Sequence, residues 1–361
     1  MAKRTRKGLT VAITGAAGYL GTQVAKMLCA DDRVDRVLGF DQSPTPGFEH
    51  PDYVYDSVDV RNRTLESRFQ GTDVVIHLAF IMDPIKDETE MRDVNVNGSQ
   101  NVFRCAGAAG VKKIVYTSSG TAYGAHPNND VPLDEESPLR ANLDFSYPAH
   151  KLEVEYVVRE FRSEYPDVRF VTLRPAIVFG PNVDNAWSHF LETPVLLGIQ
   201  GYDPPMQFVH EEDVARGVCF SVFEDLDGPY NLAPEGWLEQ EEILAAVGKR
   251  TVKLPEPIAF SLQERLWEMG LAEAPAGMLH YVMHPWVLST GKLSAAGFRC
   301  EYSNLDALSQ AVAVAQDKVR LGTVRMSRGQ VRAGVAAGVG VAGGLVALSR
   351  IRKASRPKAG V

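Results

Sequence analysis

Cysteine is scarce in this chain of 361 residues, and its spacing argues against cysteine-based frameworks. The four cysteines, Cys29, Cys105, Cys219 and Cys300, lie far apart, and no two of them form a C-x-x-C motif. Disulfide scaffolds and zinc sites need paired or clustered ligands, so neither is expected. No cluster of histidine, cysteine and carboxylate residues indicates a metal site. This cysteine usage is typical of a reducing compartment.

The sequence also predicts no secretory signal, and it lacks an excess of basic residues over most of its length. Residues 1–7 are basic, but the apolar run at 9–13 is too short for the core of a signal peptide. Residues 318–361 contain ten Lys or Arg and no Asp or Glu, so the rest of the chain is strongly acidic although the net charge is only −7. An acidic body argues against nucleic-acid binding. We therefore expect a cytoplasmic protein that acts on a small molecule.

Apolar and amphipathic segments alternate along the first 175 residues. Strands are predicted at 9–13, 37–40, 74–79, 114–117 and 168–173, and helices at 19–30, 95–109 and 147–165. This alternation indicates a parallel sheet with helices on both faces. The predicted fold class is therefore α/β, a doubly wound (Rossmann) sheet, with a dinucleotide-binding domain over residues 8–175.

The pattern loosens after residue 175. Proline, glycine and aromatic residues become frequent, and helices are predicted near 211–224, 239–247 and 257–270. We expect residues 176–316 to form a smaller, irregular substrate-binding region that is interleaved with the last strands of the sheet. Residues 317–361 form a separate basic tail that is rich in Ala, Gly and Val.

A glycine-rich turn follows the first predicted strand and opens the first predicted helix. Gly15, Gly18 and Gly21 are spaced G-x-x-G-x-x-G. Such glycines permit a tight turn, close approach of a pyrophosphate and close packing of helix on strand. Asp41 ends the next predicted strand, where a carboxylate binds ribose hydroxyls and repels a 2′-phosphate. The pattern therefore predicts NAD rather than NADP, with Asp59 and Val60 as further contacts near the adenine.

Tyr147 and Lys151 are four residues apart in the predicted helix 147–165 and therefore lie on one face. A nearby ammonium favours the phenolate, so we expect Lys151 to lower the pKa of Tyr147. A phenol of lowered pKa exchanges protons with an alcohol or a carbonyl. Because Pro148 is tolerated only in the first turn of a helix, the helix is expected to begin near Ser146 as the N-cap, with His150 packing outward.

With these motifs, the chain resembles the extended short-chain dehydrogenases/reductases of the NAD-dependent epimerase/dehydratase family over about residues 9–300. Further matches to that family are the segments 77–79, 95–101, 117–124, 173–181 and 208–215. The resemblance implies NAD(H) as cofactor, a Rossmann fold and a serine-tyrosine-lysine site. It also implies a homodimer.

By this resemblance, Ser119 hydrogen-bonds the reacting oxygen, Tyr147 is the general acid or base, and Lys151 binds the nicotinamide ribose. Residues expected at the cofactor are Gly15, Gly18, Tyr19, Leu20, Gly21, Phe40, Asp41, Asp59, Val60, Leu78, Ala79, Asn95, Ser118, Tyr147, Lys151, Pro175 and Val178.

The predicted substrate region lacks basic residues and is rich in apolar ones. Residues 175–215 contain no Lys or Arg, although enzymes acting on nucleotide sugars usually pair the diphosphate with basic side chains. Aromatic and aliphatic residues instead predict an apolar pocket or, equally, core packing. The expected substrate contacts are Thr121, Trp187, Phe190, Tyr202 and Phe208.

Three functions remain open at this stage. The first is an NAD-dependent oxidoreductase acting on a secondary alcohol or ketone, with a sterol- or lipid-like substrate as one possibility. The second is a nucleotide-sugar epimerase or dehydratase, such as a UDP-sugar 4-epimerase, in which the hydride leaves and returns. The third is a non-catalytic NAD-binding protein, against which the set Ser119, Tyr147 and Lys151 argues.

The basic tail contains an uncharged segment at residues 333–349. A helix of this length spans ~26 Å, slightly less than the ~30 Å hydrocarbon core of a bilayer. Its glycines weaken helix propensity, so three alternatives stay open: a flexible tail, a membrane-associated helix that anchors the protein at the cytoplasmic membrane, and a helix that contacts protein.

Overall fold

A computed structural model of the chain describes residues 8–316, 318–321 and 324–327. Its strands are β1 Leu9–Thr14, β2 Val34–Asp41, β3 Tyr53–Ser57, β4 Val74–His77, β5 Lys113–Thr117, β6 Arg169–Pro175, β7 Ile177–Phe179, β8 Leu196–Ile199, β9 Phe208–His210, β10 Gly228–Leu232, β11 Thr251–Leu254, β12 Lys318–Leu321 and β13 Val324–Ser327.

The α-helices in the described ranges vary from single turns to nineteen residues. They are α1 Tyr19–Cys29, α2 Leu65–Arg68, α3 Glu88–Arg92, α4 Gly98–Ala108, α5 Ser146–Glu164, α6 Ala186–Phe190, α7 Glu211–Phe223, α8 Gln240–Val247, α9 Glu256–Glu268, α10 Gly291–Ala295 and α11 Asn304–Ala315. A π-helical segment, Asp93–Asn97, precedes α4, and 3₁₀ segments cover Gly120–Tyr123 and Ala276–Val282.

The central sheet has seven strands in the order β10-β6-β5-β4-β1-β2-β3. All neighbouring pairs in it are parallel. The chain runs outward from β1 to β3 on one side and then from β4 to β10 on the other. The predicted doubly wound α/β fold is therefore confirmed.

Each strand sends alternate side chains to opposite faces of the sheet. Because helices cover both faces, the side chains on both faces are buried, and the central strands are apolar throughout. In β1, Val11 and Ile13 belong to the core under α1 and α7, whereas Ala12 belongs to the core under α4 and α5. Both layers are closely packed, and full burial of each large apolar side chain contributes ~1.5–3 kcal/mol.

Two strands of the sheet were not predicted from the sequence. In the edge strand β3 only Tyr53 is buried, and β10 begins with Gly228 and Pro229, which are unusual in a strand interior. Pairing of β10 with β6 shows that the sheet draws on residues beyond 175. The boundaries of the two regions remain predictions.

The later part of the chain matches its predicted helices closely. Helices α7, α8 and α9 fall at the expected places, and two small parallel pairs, β7 with β9 and β8 with β11, lie beside them. Among the described residues, no helix has the length and apolarity needed to cross a membrane. The predicted tail segment 333–349 lies outside the described residues.

Candidate active site

The site lies at the carboxyl edge of the sheet, where the direction of winding reverses. Strands β2 and β4 lie on either side of β1, so the loops that follow β1 and β4 diverge there. In open α/β sheets ligands bind at this reversal point. Most of the predicted cofactor residues follow the ends of these strands.

The glycine turn after β1 has no room for side chains at two of its three glycines. Gly15 has φ of +76°, and a Cβ on it would lie 2.6 Å from the backbone nitrogen of Ala79. A Cβ on Gly21 would overlap the carbonyl oxygen of Gly15. Gly18 differs, because a Cβ there would meet only the Gly15 carbonyl, at 3.3 Å. The backbone at Gly18 therefore faces open space.

Helix α1 begins in this turn without a side-chain cap. Gly18 is its N-cap residue and makes no side-chain hydrogen bond, and no acidic residue occupies the first turn. The first N–H groups of a helix have no partner within the helix, and together with the helix dipole they favour an anion. Tyr19 and Leu20 belong to this first turn. The arrangement fits the pyrophosphate of a dinucleotide.

Asp41 ends β2 and faces the glycine turn. Its carboxylate accepts hydrogen bonds from the backbone N–H of Ala17 at 3.1 Å and of Ser43 at 3.0 Å. It therefore fixes the glycine turn to the end of β2. The side chain caps a turn, and it also lies where a ribose-binding carboxylate is expected.

Three other predicted cofactor residues have clear structural roles. Phe40 and Val60 are buried in the core beneath α4. Asp59 forms an ion pair with Arg61 at 2.6 Å, and the hydrogen bond from that guanidinium lowers the pKa of the carboxyl. Their contact with a cofactor remains a prediction.

Asn95 holds the loop that follows β4. Its Oδ1 accepts from the backbone N–H of Ile81 at 2.7 Å, and its Nδ2 donates to the carbonyl of Ile81 at 2.9 Å. At the start of the same loop, the N–H of Leu78 donates to Thr14. The side chain of Asn95 thus fixes the segment beside Ala79.

Two hydroxyls at the end of β5 are buried without a hydrogen-bond partner within the described residues, those of Thr117 and Ser118. Buried polar atoms are rarely left unpaired, so an orphaned hydroxyl is typical of a site that receives a ligand. Together with the glycine cradle and the uncapped helix, it shows that the residues present fit a dinucleotide.

Ser119 follows these hydroxyls and caps the 3₁₀ segment Gly120–Tyr123. Its Oγ accepts hydrogen bonds from the backbone N–H and the hydroxyl of Thr121, at 3.1 and 2.9 Å. Both side chains are buried and line the cleft that also contains Tyr147. The hydroxyls of Thr121, as donor, and Ser119, as acceptor, are therefore held together beside the phenol of Tyr147.

Tyr147 lies in the first turn of α5 and packs against Phe80 and Phe145, with ring centroids 5.7 and 6.3 Å apart. Burial raises the pKa of Tyr147 to about 12, while the hydroxyl of Ser119 acts in the opposite direction and the charge of Asp83 adds to the rise. The phenol therefore holds its proton at neutral pH. The expectation that Lys151 lowers this pKa is wrong for this structure.

The position of Lys151 explains that result. Its ammonium donates to the carbonyl of Thr117 at 2.8 Å and lies 3.6 Å from the ring centroid of Phe80, but 5.8 Å from that of Tyr147. Burial lowers the pKa of Lys151 to about 7, with the charge of Glu155 opposing the shift. The amine and the phenol lie on the same side of α5, as predicted, and desolvation makes the protonated form of the amine less favourable.

The start of α5 differs from its prediction in two details. Phe145 is the N-cap and Ser146 is the first helical residue, with its hydroxyl buried and unpaired. His150 does not pack outward: its side chain is buried, and its Nδ1 lies 3.4 Å from Nδ2 of Asn95. The π-helical segment Asp93–Asn97 packs against this face of the helix, which helical spacing alone does not reveal.

The cleft brings together several residues predicted separately. Its described lining includes the expected residues Tyr19, Ser119, Thr121, Tyr147, Pro175, Val178 and Trp187. The lining residues that were missed are Met82, Asp83, Phe145, Ala176, Ile177, Asn185, Ala186 and Trp286. Asp83 was detectable, because it is a charged residue in the apolar loop after β4. Trp286 had no local signal, since it arrives from a distant segment.

The structure does not bring the remaining predicted substrate residues into the cleft. Phe208 is buried in the core, stacked on Phe179 at 5.1 Å. Phe190 packs against the core behind Trp187. The hydroxyl of Tyr202 donates to Glu256 at 2.7 Å, in a small separate cluster. For Phe208 and Phe190, core packing was the alternative interpretation.

The comparisons with known proteins agree with this geometry. Residues 11–233 match the model of the family described as NAD dependent epimerase/dehydratase. The chain belongs to this family.

Two relatives show the level of similarity. An uncharacterized protein of Mycobacterium tuberculosis is 23% identical over 308 residues, covering 82% of this chain and 81% of its own length. UDP-glucose 4-epimerase 2 of Oryza sativa subsp. japonica is 32% identical over 181 residues, covering 46% of this chain and 43% of the rice protein.

Among solved structures, UDP-glucose 4-epimerase of Thermus thermophilus, in complex with NAD, superposes with a TM-score of 0.66 at 22% identity, covering 88% of this chain and all of that one. At this identity the likeness concerns the fold. Membership of the NAD-dependent epimerase/dehydratase family shows that the present protein is an enzyme and that its cofactor is NAD.

Proposed function

We propose that the protein is an oxidoreductase that moves hydride between NAD and a secondary alcohol or ketone. The observation that carries the proposal is the convergence of Ser119, Thr121 and Tyr147 in one cleft beside the glycine turn, with Lys151 buried behind the phenol. Such a set of groups serves proton exchange with a substrate oxygen.

The proton chemistry follows from the state of Tyr147. When bound, NAD would supply the acceptor for a hydride from the alcohol carbon, and NADH would supply the hydride for the carbonyl carbon. In the direction of reduction, protonated Tyr147 gives its phenolic proton to the carbonyl oxygen as the alcohol forms. In the direction of oxidation, the phenolate takes the hydroxyl proton as the C–H bond breaks. Ser119 orients the reacting oxygen by hydrogen bonding.

The cofactor residues have matching roles in this proposal. The N–H groups of Tyr19 and Leu20 would hold the pyrophosphate above Gly18, and Asp41 would bind the adenosine ribose. Lys151 would bind the nicotinamide ribose, since its amine is already placed between Thr117 and Phe80.

The lining of the cleft supports an uncharged substrate. Trp187, Trp286 and Ile177 supply apolar surface, and none of the described lining residues is Lys or Arg. A phosphate placed there would have no cation to pair with. A sterol- or lipid-like alcohol therefore remains part of the proposal.

A second candidate is a nucleotide-sugar 4-epimerase. It is supported by the 32% identity to the rice UDP-glucose 4-epimerase and by the fold shared with the Thermus enzyme. The same groups would serve, with the hydride returned to the opposite face of the keto intermediate.

One assay separates the two candidates. The protein is incubated with NAD and either a panel of secondary alcohols or UDP-glucose and UDP-galactose, while NADH absorbance and the configuration of the recovered sugar are followed. Accumulation of NADH with an alcohol supports the oxidoreductase. Interconversion of the two sugars without accumulation of NADH rejects it in favour of the epimerase.

A further inference from the structure

A single charged side chain lies among the described residues that line the cleft. Asp83 follows β4 in the loop fixed by Asn95 through Ile81, and it shares the cleft with Ser119 and Tyr147. The loop is therefore held in place, and the carboxyl group is presented to the same space as the proposed proton donor.

The contacts of Asp83 leave part of its hydrogen-bonding capacity available. Its Oδ1 accepts from the backbone N–H of Ala186, the first residue of α6, at 2.9 Å. Within the described residues it forms no ion pair and makes no second side-chain hydrogen bond. A carboxylate accepts about four hydrogen bonds, so Oδ2 remains free to bind a donor.

The bond to Ala186 does not by itself explain an acid at this position. Helix α6 already has a capping box, in which Asn185 and Ser188 satisfy each other's backbone groups. Burial raises the pKa of Asp83 although Ala186 and His189 oppose the shift, while Glu273 and Asp184 add to it. A half-buried acid that forms no ion pair is costly unless a ligand supplies a donor.

We propose that Asp83 determines substrate specificity by accepting a hydrogen bond from a second hydroxyl group of the substrate. The substrate class is then a neutral diol or polyol, including a sugar ring, rather than a simple alcohol, and a carboxylate or phosphate at this position is rejected by like charge. This inference rests on the proposed function, because the first hydroxyl is the one that exchanges its proton with Tyr147.

The test uses matched pairs of substrates with the wild-type protein and two variants. Each pair consists of a secondary alcohol and its diol, such as cyclohexanol and trans-1,2-cyclohexanediol, with UDP-glucose and its 3-deoxy analogue as a further pair. The variants are Asp83→Asn, whose amide oxygen still accepts from Ala186, and Asp184→Asn. Asp184 lies near the same helix, pairs with His189 at 2.8 Å and does not line the cleft.

The wild type is expected to show a higher kcat/KM for the diol than for the simple alcohol, and a higher kcat/KM for UDP-glucose than for its 3-deoxy analogue. Asp83→Asn should lower kcat/KM for the diol and for UDP-glucose roughly ten- to hundredfold, the usual worth of a hydrogen bond to a charged group. The charge of Asp83 also acts on Tyr147 for both members of a pair, so the readout is the ratio of their kcat/KM values: Asp83→Asn should lower this ratio about tenfold or more, and Asp184→Asn should leave it unchanged.

Two outcomes overturn the inference. The first is a wild-type protein that shows the same kcat/KM for both members of every pair, a result that needs no variant. An equal loss on both members in a folded Asp83→Asn protein assigns the residue to structure. If the wild type turns over no pair, or if Tyr147→Phe turns over as fast as the wild type, the proposed function itself fails, and that result is separate from the ratio that tests Asp83.

Discussion

Arg174 and Glu155 form a buried, bidentate ion pair that joins the end of β6 to the helix carrying Tyr147 and Lys151. The guanidinium donates to both carboxylate oxygens at 2.9 and 3.0 Å, and both side chains are almost fully buried. Arg174 also donates to the hydroxyl of Tyr123 at 2.7 Å. The pair therefore fixes α5 against the sheet directly behind the site.

Replacement of Glu155 with Gln should destabilise the fold. The substitution leaves the Arg174 charge buried without its counter-ion, which typically costs ~3–5 kcal/mol. The free energy of unfolding is measured by urea denaturation with far-UV circular dichroism. The matched control is Glu153→Gln on the same helix, because Glu153 pairs with Arg92 at the surface and should contribute less than ~1 kcal/mol. Equal losses for the two variants would show that burial of the pair does not matter.

Gly15→Ala should be more damaging than an ordinary glycine replacement at positive φ. A left-handed backbone disfavours alanine by ~1–2 kcal/mol, and at Gly15 the new Cβ would also collide with the backbone of Ala79. Gly110→Ala is the control, because Gly110 has φ of +73° with open space around it. The thermal midpoint and the affinity for NAD are measured for both. Comparable values for both variants would contradict the steric role of Gly15.

Asp41→Asn should weaken the preference for NAD over NADP. The amide oxygen still accepts from the N–H of Ala17, so the link to the glycine turn is kept while the negative charge and the hydrogen bond from Ser43 are removed. We expect the dissociation constant for NAD to rise about tenfold and that for NADP to fall, since repulsion of a 2′-phosphate is lost. Binding of both cofactors is followed by fluorescence titration. An unchanged ratio of the two constants would leave Asp41 with only its turn-capping role.

The rate of alcohol oxidation should rise with pH. The pKa of Tyr147 is raised to about 12, so the phenolate needed as base is scarce at neutral pH. Below that pKa, kcat/KM should increase roughly tenfold per pH unit. Reduction needs the protonated phenol and should show no such rise. A pH profile of both directions, with an alcohol that is turned over, measures the effect.

Tyr147→Phe is expected to lower turnover ~10²–10⁴-fold and to remove the rise with pH. Affinity for NAD should be kept. Tyr156→Phe on the same helix is the control, since Tyr156 is 46% exposed. Wild-type turnover in Tyr147→Phe would exclude this phenol from the chemistry.

Local sequence was sufficient for the main elements of the fold because their signals are local. Apolar runs marked β1, β4 and β5, and helical spacing marked α1 and α5. Gly15 and Gly21 marked the turn after β1, since neither position has room for a Cβ. Tyr147 and Lys151 had to share a face of α5 because helical geometry fixes it.

Tertiary structure decided what those side chains experience. The pKa of Tyr147 depends on burial beside Phe80 and Phe145 and on the charge of Asp83, none of which follows from the spacing of Tyr147 and Lys151. The direction of Lys151, towards Thr117, depends on the register of α5 against β5.

The lining of the cleft likewise required the folded chain. Asp83, Asn185 and Trp286 come from three separate segments, and only packing brings them together. The same packing places Phe208 in the core. The sequence fixes backbone propensities over a few residues, so the class of chemistry could be predicted. Desolvation and the proximity of charges depend on contacts between residues far apart in the chain, so the pKa values of the side chains in the cleft could not.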